Sequence, residues 1–297
     1  MMESKGTTPT ESVDALIIGA GFAGLYMLHK LRLQGLNAKI VEAGSGVGGT
    51  WFWNRYPGAR CDIESLEYSY QFSEELQQEW EWPERYSTQP EILKYANHVA
   101  DRFELRDDIY FDTRVVANHF NDATQRWDVS TDSEKTFTAR FCVMATGCLS
   151  STNTPNFEGL GSFRGPTYHT GQWPHHDIDF SGQRVGIIGT GSSGVQAIPV
   201  IAEQAKHLTV FQRTPNFSVP ARNEPLDPET EQSVKADYAG FRELANAAPF
   251  AANFVVNEKT ALECSQEERN AEYERRWDQG GLGFVAAFSH LIVDKEA

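Results

Sequence analysis

The stretch that decides the fold is VDALIIGAGFAGLYMLHKLRLQGLNAKIVEAG at residues 13–44. Its short apolar run Val13–Ile18 is typical of a strand buried on both faces, and it ends in the pattern Gly19-x-Gly21-x-x-Gly24. Leucines then recur at roughly helical spacing, and Ala38–Val41 returns as a second strand that ends at Glu42. This strand, turn, helix and strand predict a βαβ unit of the dinucleotide-binding type.

The same arrangement occurs a second time along the chain. A strand at Arg184–Ile188 leads into Gly189-x-Gly191-x-x-Gly194, followed by a predicted helix from Val195 to about Ala205 and a strand at Leu208–Phe211. In such motifs the first glycine makes the turn, the second lets the backbone approach a pyrophosphate, and the third allows close packing of helix on strand. One motif could be a chance turn, but two copies in this context predict an α/β protein with two Rossmann-like dinucleotide-binding domains.

The residue that follows each second strand distinguishes the two ligands. Glu42 can accept hydrogen bonds from a ribose diol, which predicts an adenine dinucleotide with a free ribose at the first site. Gln212 and Arg213 stand at the matching place of the second unit, and an arginine suits a 2′-phosphate. We therefore expect NADP there, although Arg213 could also be a solvated surface charge.

A chain that binds two dinucleotides is typical of an FAD enzyme that is reduced by NADPH. The nicotinamide donates a hydride, and the flavin accepts it and then passes electrons onward or reacts with oxygen. The two glycine motifs do not distinguish a reductase from a monooxygenase.

The rest of the chain predicts the following organisation. Residues 1–12 are expected to be a disordered leader, 13–149 an FAD-binding domain, 150–220 the first part of an NADP-binding domain after a Ser150–Pro155 linker, and 221–297 a truncated helical insertion. Within the first domain we expect a helix at Glu91–Glu104, a small antiparallel meander, and a separate buried strand at Phe141–Ala145. The strands expected in the meander are Ile109–Phe111, Val115–Phe120, Trp127–Ser130 and Thr136–Phe137.

Composition excludes several classes of function. The chain has 26 Lys and Arg against 41 Asp and Glu, a net charge of −15, which argues against nucleic acid or an anionic membrane as partner. It contains no apolar run of about 18 residues, as a membrane span would need. Its four cysteines form no C-x-x-C pair, and its histidines, His175-His176 included, show no metal-ligand pattern. We expect a cytoplasmic protein without a metal site.

Two further patterns carry a resemblance to a known family. Phe163-x-Gly165-x-x-x-His169-x-x-x-Trp173-Pro174 matches the signature of Baeyer–Villiger monooxygenases. The pattern that starts at Gly48-Gly49-x-Trp51 and runs through Tyr56-Pro57-Gly58 to Asp62 matches a second signature of that family. Within it, Trp53–Asp62 looks most like phenylacetone monooxygenase and its close relatives. Flavin monooxygenases that oxidise nitrogen or sulfur share the glycine motifs but typically lack the final Trp-Pro.

The resemblance implies a reaction in three parts. NADPH reduces FAD, reduced flavin adds O2 at C4a, and the deprotonated peroxyflavin attacks a ketone to give an ester or lactone. The peroxide must be anionic, and water must be excluded to prevent its decay. The implied partners are a small-molecule ketone and O2.

The resemblance also implies roles for single residues. Asp62 resembles a loop aspartate beside the flavin that orients a catalytic arginine, Arg60 and Cys61 would lie near the nicotinamide, and His169 resembles a histidine that acts at the hinge between the nucleotide domains. Asp62, Arg60 and His169 are thus the catalytic candidates. The residues expected at FAD are Gly19, Gly21, Phe22, Gly24, Glu42, Gly49, Thr50, Trp51, Asp62 and Tyr68. Those expected at NADP are Arg60, Cys61, Gly189, Thr190, Gly191, Ser192, Ser193, Gly194, Arg213 and Thr214.

Simpler interpretations exist for these residues and for the chain. Asp62 could cap a helix that begins at Ile63-Glu64, and His169 could be a partly buried histidine with a structural hydrogen bond. Residues near Phe250 and Phe254 are candidates for the substrate pocket. A full relative continues beyond the equivalent of residue 297, so the chain is interpreted as a fragment that alone cannot oxygenate a ketone. The alternatives are a nitrogen or sulfur oxygenase and an inactive nucleotide-binding remnant.

Overall fold

The computed structural model describes residues 10–248, 251–253, 255–291 and 293–294. These residues separate into two compact units. The first contains the described residues up to Pro57 together with Gln89–Asp179, and the second contains Gly58–Thr88 and the described residues from Phe180 onward. The predicted domains divided the chain differently, since they placed 58–88 in the first domain and 150–179 in the second.

The first unit is built on a six-stranded sheet with the order β3-β2-β1-β6-β5-β4. β1, β2, β3 and β6 are parallel, whereas β4 and β5 are antiparallel to their neighbours. The strands are β1 (Glu11–Ile18), β2 (Ala38–Val41), β3 (Ile109–Tyr110), β4 (Val115–Asn121), β5 (Arg126–Thr131) and β6 (Thr136–Met144). The helices of this unit are α1 (Phe22–Leu33), α2 (Thr50–Trp53) and α4 (Gln89–Arg102).

β1 is buried on both faces at Ala15–Ile17, as the apolar character of this stretch predicts. Ala15 and Ile17 pack in a core with Leu25 and Leu28 of α1. Leu16 packs on the opposite face with Phe137 and Val129. This central position follows from the parallel ladders to β2 and β6, which satisfy both edges of β1.

Three details differ from the prediction. Thr136–Phe137 and Phe141–Ala145 are not two strands, because β6 runs unbroken and pairs with β5 on one edge and with β1 on the other. β3 is not part of the meander, since it pairs in parallel with β2. The predicted leader is also too long by two residues, because Glu11 and Ser12 already pair with β6.

The second unit contains a two-stranded parallel sheet formed by β7 (Arg184–Ile188) and β8 (His207–Phe211), joined by helix α5 (Ser192–Gln204). Its other helices are α3 (Glu74–Glu79), α6 (Pro228–Ala236), α7 (Tyr238–Ala247) and α8 (Gln266–Gln279). After residue 220 the described part of the chain forms helices and turns without a ladder strand, in agreement with its polar, helical sequence. In the described ranges, none of the helices combines the length and the apolar character that crossing a bilayer requires.

Candidate functional site

The first glycine turn joins β1 to α1. Gly19 has a φ of 107°, a region that favours glycine, and its amide donates to the Val41 carbonyl at 2.9 Å. A Cβ atom at Gly24 would overlap the Gly19 carbonyl oxygen, so glycine is required for α1 to start this close to the strand. Gly21 precedes the helix without a side-chain cap. A helix start of this kind, with its positive dipole end, favours a bound phosphate.

A second loop passes directly over this turn. The Gly48 amide donates to the Ala20 carbonyl at 3.0 Å, and a Cβ atom at Gly49 would lie 2.8 Å from the Gly21 Cα atom. The buried side chain of Gln89 donates to the carbonyl of Trp51 and holds α2 in place, a contact that sequence reasoning missed. The structure therefore brings together seven of the predicted flavin residues: Gly19, Gly21, Phe22, Gly24, Gly49, Thr50 and Trp51.

Glu42 lies at the end of β2, beside the same turn, and is buried. One carboxylate oxygen accepts from the Ala20 amide at 2.7 Å and the other from the Gly44 amide at 2.7 Å. The side chain thus braces the glycine turn against the loop that follows β2. Its expected contact with a ribose stays a prediction, and the brace is a role that the sequence pattern did not indicate.

The second glycine turn repeats the first in the other unit. Gly189 has a φ of 101° and its amide donates to the Phe211 carbonyl at 2.9 Å. A Cβ atom at Gly194 would lie 2.6 Å from the Gly189 carbonyl oxygen, whereas a Cβ atom at Gly191 would meet no atom within 4 Å. Gly191 again precedes its helix without a side-chain cap. A ligand can therefore approach the backbone closely at Gly191.

The segment after β8 fastens this turn. The Gln212 side chain donates to the Thr190 hydroxyl at 2.8 Å, and the Asn216 side chain donates to the Thr190 carbonyl at 2.5 Å. Arg213 and Thr214 lie between these two residues and are exposed. Arg213 is thus in the part of the chain that contacts the turn, and its expected contact with a 2′-phosphate stays a prediction. Asn216 is a residue that no sequence signal pointed to.

The segment with Arg60, Cys61 and Asp62 belongs to the second unit. The Cys61 amide donates to the Ser87 carbonyl at 3.1 Å, and the Arg60 guanidinium forms an ion pair with Glu84 at 3.3 Å. Burial raises the pKa of the Cys61 thiol to about 11, so this cysteine is a neutral thiol at neutral pH. The exposed carboxylate of Asp62 accepts from Gln196 at 3.0 Å.

The helix that Asp62 could have capped does not exist. Residues 63–70 form turns, with the Tyr68 amide donating to the Glu64 carbonyl at 2.9 Å, so the capping interpretation is wrong. Asp62 and Tyr68 lie in the second unit, whereas the other predicted flavin residues lie in the first. Their flavin contacts stay predictions.

His169 lies in the first unit and is half-buried just before a 3-10 turn at Thr170–Gln172. Its Nδ1 atom accepts from the Gly171 amide at 3.1 Å. Tyr168 and Trp173, on either side, pack ring on ring with centroids 5.4 Å apart. The imidazole therefore makes the structural hydrogen bond of the simpler interpretation, and a role of His169 at a hinge stays a prediction. Phe250 and Phe254 lie outside the described residues.

Comparison with known proteins places these features in a family. A family model described as pyridine nucleotide-disulphide oxidoreductase matches residues 16–270. A Baeyer–Villiger monooxygenase of Pseudooceanicola batsensis is 49% identical over 276 residues, which cover 93% of this chain and 50% of the relative. Phenazine N-monooxygenase of Lysobacter antibioticus is 42% identical over 287 residues, covering 96% of this chain and 53% of the relative. The chain spans about half the length of these relatives.

Solved structures agree with this result. Oxidized steroid monooxygenase bound to NADP is 54% identical, with a TM-score of 0.92 over 96% of this chain and 55% of the other. The structure of OTEMO in complex with FAD and NADP is 39% identical, with a TM-score of 0.92 over 97% of this chain and 56% of the other.

The chain belongs to the pyridine nucleotide-disulphide oxidoreductase family, whose model covers most of its length. Over about half of their length, the chain is similar to a Baeyer–Villiger monooxygenase and to a steroid monooxygenase of known structure. The region that the family model matches includes both glycine turns and the Phe163–Pro174 signature.

Proposed function

We propose that this protein is an NADPH-dependent, FAD-containing monooxygenase that inserts one oxygen atom of O2 beside a ketone carbonyl to give an ester or lactone. The observation that carries the proposal is the pair of uncapped helix starts at Gly21 and Gly191, each behind a tight glycine turn, in a chain that also holds the Phe163–Pro174 signature. The cofactors fit these sites, because neither second glycine has a side chain that would keep a phosphate away from the backbone amides at the helix start.

FAD would be held in the first unit by the Gly19–Gly24 turn, the Gly49–Trp51 loop and the ribose-binding carboxylate of Glu42. NADP would be held in the second unit by the Gly189–Gly194 turn, Arg213 and Thr214. When bound, the flavin supplies the hydride acceptor and the activation of oxygen. The chain's own residues bind and orient both nucleotides, and Arg60 and Asp62 are expected to face the reacting rings.

Phenylacetone is the first ketone to test, because Trp53–Asp62 resembles the corresponding stretch of phenylacetone monooxygenase and its relatives. The assay measures ester formation and NADPH consumption by the protein expressed from its complete reading frame. Ester formed in proportion to the NADPH consumed supports the proposal. NADPH oxidation that yields hydrogen peroxide and no ester, over a panel of linear, cyclic and aryl ketones, contradicts it.

A nitrogen or sulfur oxygenase is the second candidate, and the 42% identity to phenazine N-monooxygenase favours it. An aromatic N-heterocycle, a thioether and a ketone offered side by side to the same preparation separate the two. N-oxide as the dominant product, with little ester, would favour heteroatom oxidation.

The 297-residue chain by itself is expected to bind nucleotides without oxygenating a ketone. Flavin absorbance that copurifies with the chain, together with NADPH consumption, tests binding and hydride transfer. Ester formation from phenylacetone by the purified chain with FAD and NADPH would refute this expectation. A cytoplasmic location also stays a prediction.

A further inference from the structure

Gln196 connects helix α5 to the segment that carries two of the predicted catalytic residues. Its Oε1 atom accepts from the Arg60 amide at 3.4 Å, and its Nε2 atom donates to the Arg60 carbonyl at 3.2 Å and to the Asp62 carboxylate at 3.0 Å. All three residues lie in the second compact unit. One half-buried amide side chain thus contacts both the backbone and the functional carboxylate of this segment.

The backbone reinforces this contact. Gly58 packs against the Gln196 carbonyl so closely that a Cβ atom at Gly58 would overlap the carbonyl oxygen. On its other side the segment is bonded to Ser87 through the Cys61 amide and to Glu84 through the Arg60 guanidinium. The position of residues 58–62 is therefore set by two supports, of which α5 is one.

The glycine turn lies at the N-terminal end of α5, close to Gln196. Gly191 precedes the helix, and Gln196 follows it by five residues, about 7.5 Å along a helix axis. A helix is a rigid connection over this length, so it fixes the distance between its first turn and Gln196. The same helix therefore contacts two things. Its first turn would contact the pyrophosphate of a bound dinucleotide, and Gln196 contacts residues 58–62.

We propose that Gln196 is a positioning residue that couples NADP at the Gly189–Gly194 turn to the placement of Arg60 and Asp62. The inference rests on the proposed function, because it takes the turn as the pyrophosphate site. A glutamine suits the role because its neutral amide both accepts and donates. Leucine has a similar size but makes none of the three hydrogen bonds, and glutamate loses both donors and brings a second negative charge to Asp62.

The test compares Gln196→Leu and Gln196→Glu with a matched control, Gln204→Leu. Gln204 lies on the same helix and accepts from the Phe180 amide at 3.4 Å, but it does not hold residues 58–62. Hydrogen exchange of the ligand-free chain reports on the 58–62 segment. Calorimetry then gives the Kd of NADP⁺ and of 2′-phospho-ADP-ribose, which has the pyrophosphate and 2′-phosphate but lacks nicotinamide.

We expect both Gln196 variants to speed exchange in the 58–62 segment about fivefold, the factor for one net hydrogen bond of about 1 kcal/mol. We expect NADP⁺ to bind about fivefold more weakly to them, with the Kd of 2′-phospho-ADP-ribose unchanged, because only the nicotinamide end would meet Arg60 and Cys61. Gln204→Leu should change neither quantity.

Two results would overturn the inference. Unchanged hydrogen exchange in Gln196→Leu would show that the side-chain amide does not hold residues 58–62. An equal loss of affinity for both ligands would show that Gln196 has only a structural role in α5. A wild-type chain that binds neither ligand would refute the proposed function and the coupling with it. The hydrogen-exchange measurement needs no ligand. It therefore distinguishes a failure of the Gln196 hydrogen bonds to hold residues 58–62 from a failure of the chain to bind nucleotide.

Discussion

Gly191→Ala should separate ligand binding from stability at the second glycine turn. A Cβ atom at Gly191 meets no atom within 4 Å, and the residue has φ −70° and ψ 178°, which alanine adopts without strain. A Cβ atom at Gly194 would instead lie 2.6 Å from the Gly189 carbonyl oxygen. The same substitution at two positions of one turn therefore adds a methyl group to empty space in one case and to packed backbone in the other.

The expected magnitudes follow from this difference. At Gly191, alanine restricts the unfolded chain, which stabilises by about 0.4–1 kcal/mol, but it is a poorer N-cap than glycine by a similar amount. The unfolding midpoint should therefore move by no more than about 1–2 °C. At Gly194, overpacking should cost about 1–3 kcal/mol. The methyl group of alanine at position 191 would stand where the pyrophosphate approaches. If it removes one charge-assisted hydrogen bond of about 2 kcal/mol, the affinity for NADP⁺ falls about thirtyfold.

Thermal unfolding and NADP⁺ calorimetry on the 297-residue chain measure both quantities. Gly161→Ala is the control, because a Cβ atom there also meets nothing within 4 Å while Gly161 lies outside both glycine turns. It should raise the midpoint by about 1–3 °C, because alanine restricts the unfolded chain there without a loss of N-cap, and it should leave the Kd unchanged. Wild-type NADP⁺ affinity in Gly191→Ala would refute the assignment of the turn as a pyrophosphate site. A midpoint as low as that of Gly194→Ala would refute the claim that the space at Gly191 is empty.

Two further predictions concern charge. Arg213→Gln should lower the affinity for NADP⁺ about tenfold or more and leave the affinity for NAD⁺ unchanged, since it removes charge-assisted hydrogen bonds to the 2′-phosphate. An equal loss of affinity for both nucleotides in calorimetry would show that Arg213 does not bind that phosphate. Burial raises the pKa of Cys61 to about 11 in the folded state, whereas the thiol of the unfolded chain keeps its ordinary, lower pKa. The contribution of the neutral thiol to stability is therefore fully present below the ordinary pKa, and it is lost as the pH rises towards 11. Cys61→Ala should therefore lose less stability than wild type between about pH 9 and 11 in chemical denaturation, and parallel losses would contradict the assignment.

Sequence alone was sufficient for features that depend on neighbours along the chain. The glycine turns at Gly19–Gly24 and Gly189–Gly194, the helices after them and the buried strand β1 are all local patterns of spacing and hydrophobicity, and each was predicted within a few residues. The family signature at Phe163–Pro174 was likewise readable, because its residue types and spacing are its definition.

Contacts between distant residues were decided by the tertiary structure. One example is the single strand β6, which was predicted as two strands, Thr136–Phe137 and Phe141–Ala145. Its length depends on backbone pairing with β1 and β5, and the alternation of side chains along the sequence does not show that pairing. The Gln196 amide meets Arg60 and Asp62 across more than 130 positions of chain, and its own sequence context shows an ordinary helical glutamine. Local spacing determines where the backbone can turn, whereas the partner of a buried or half-buried polar group is determined only when the chain has folded around it.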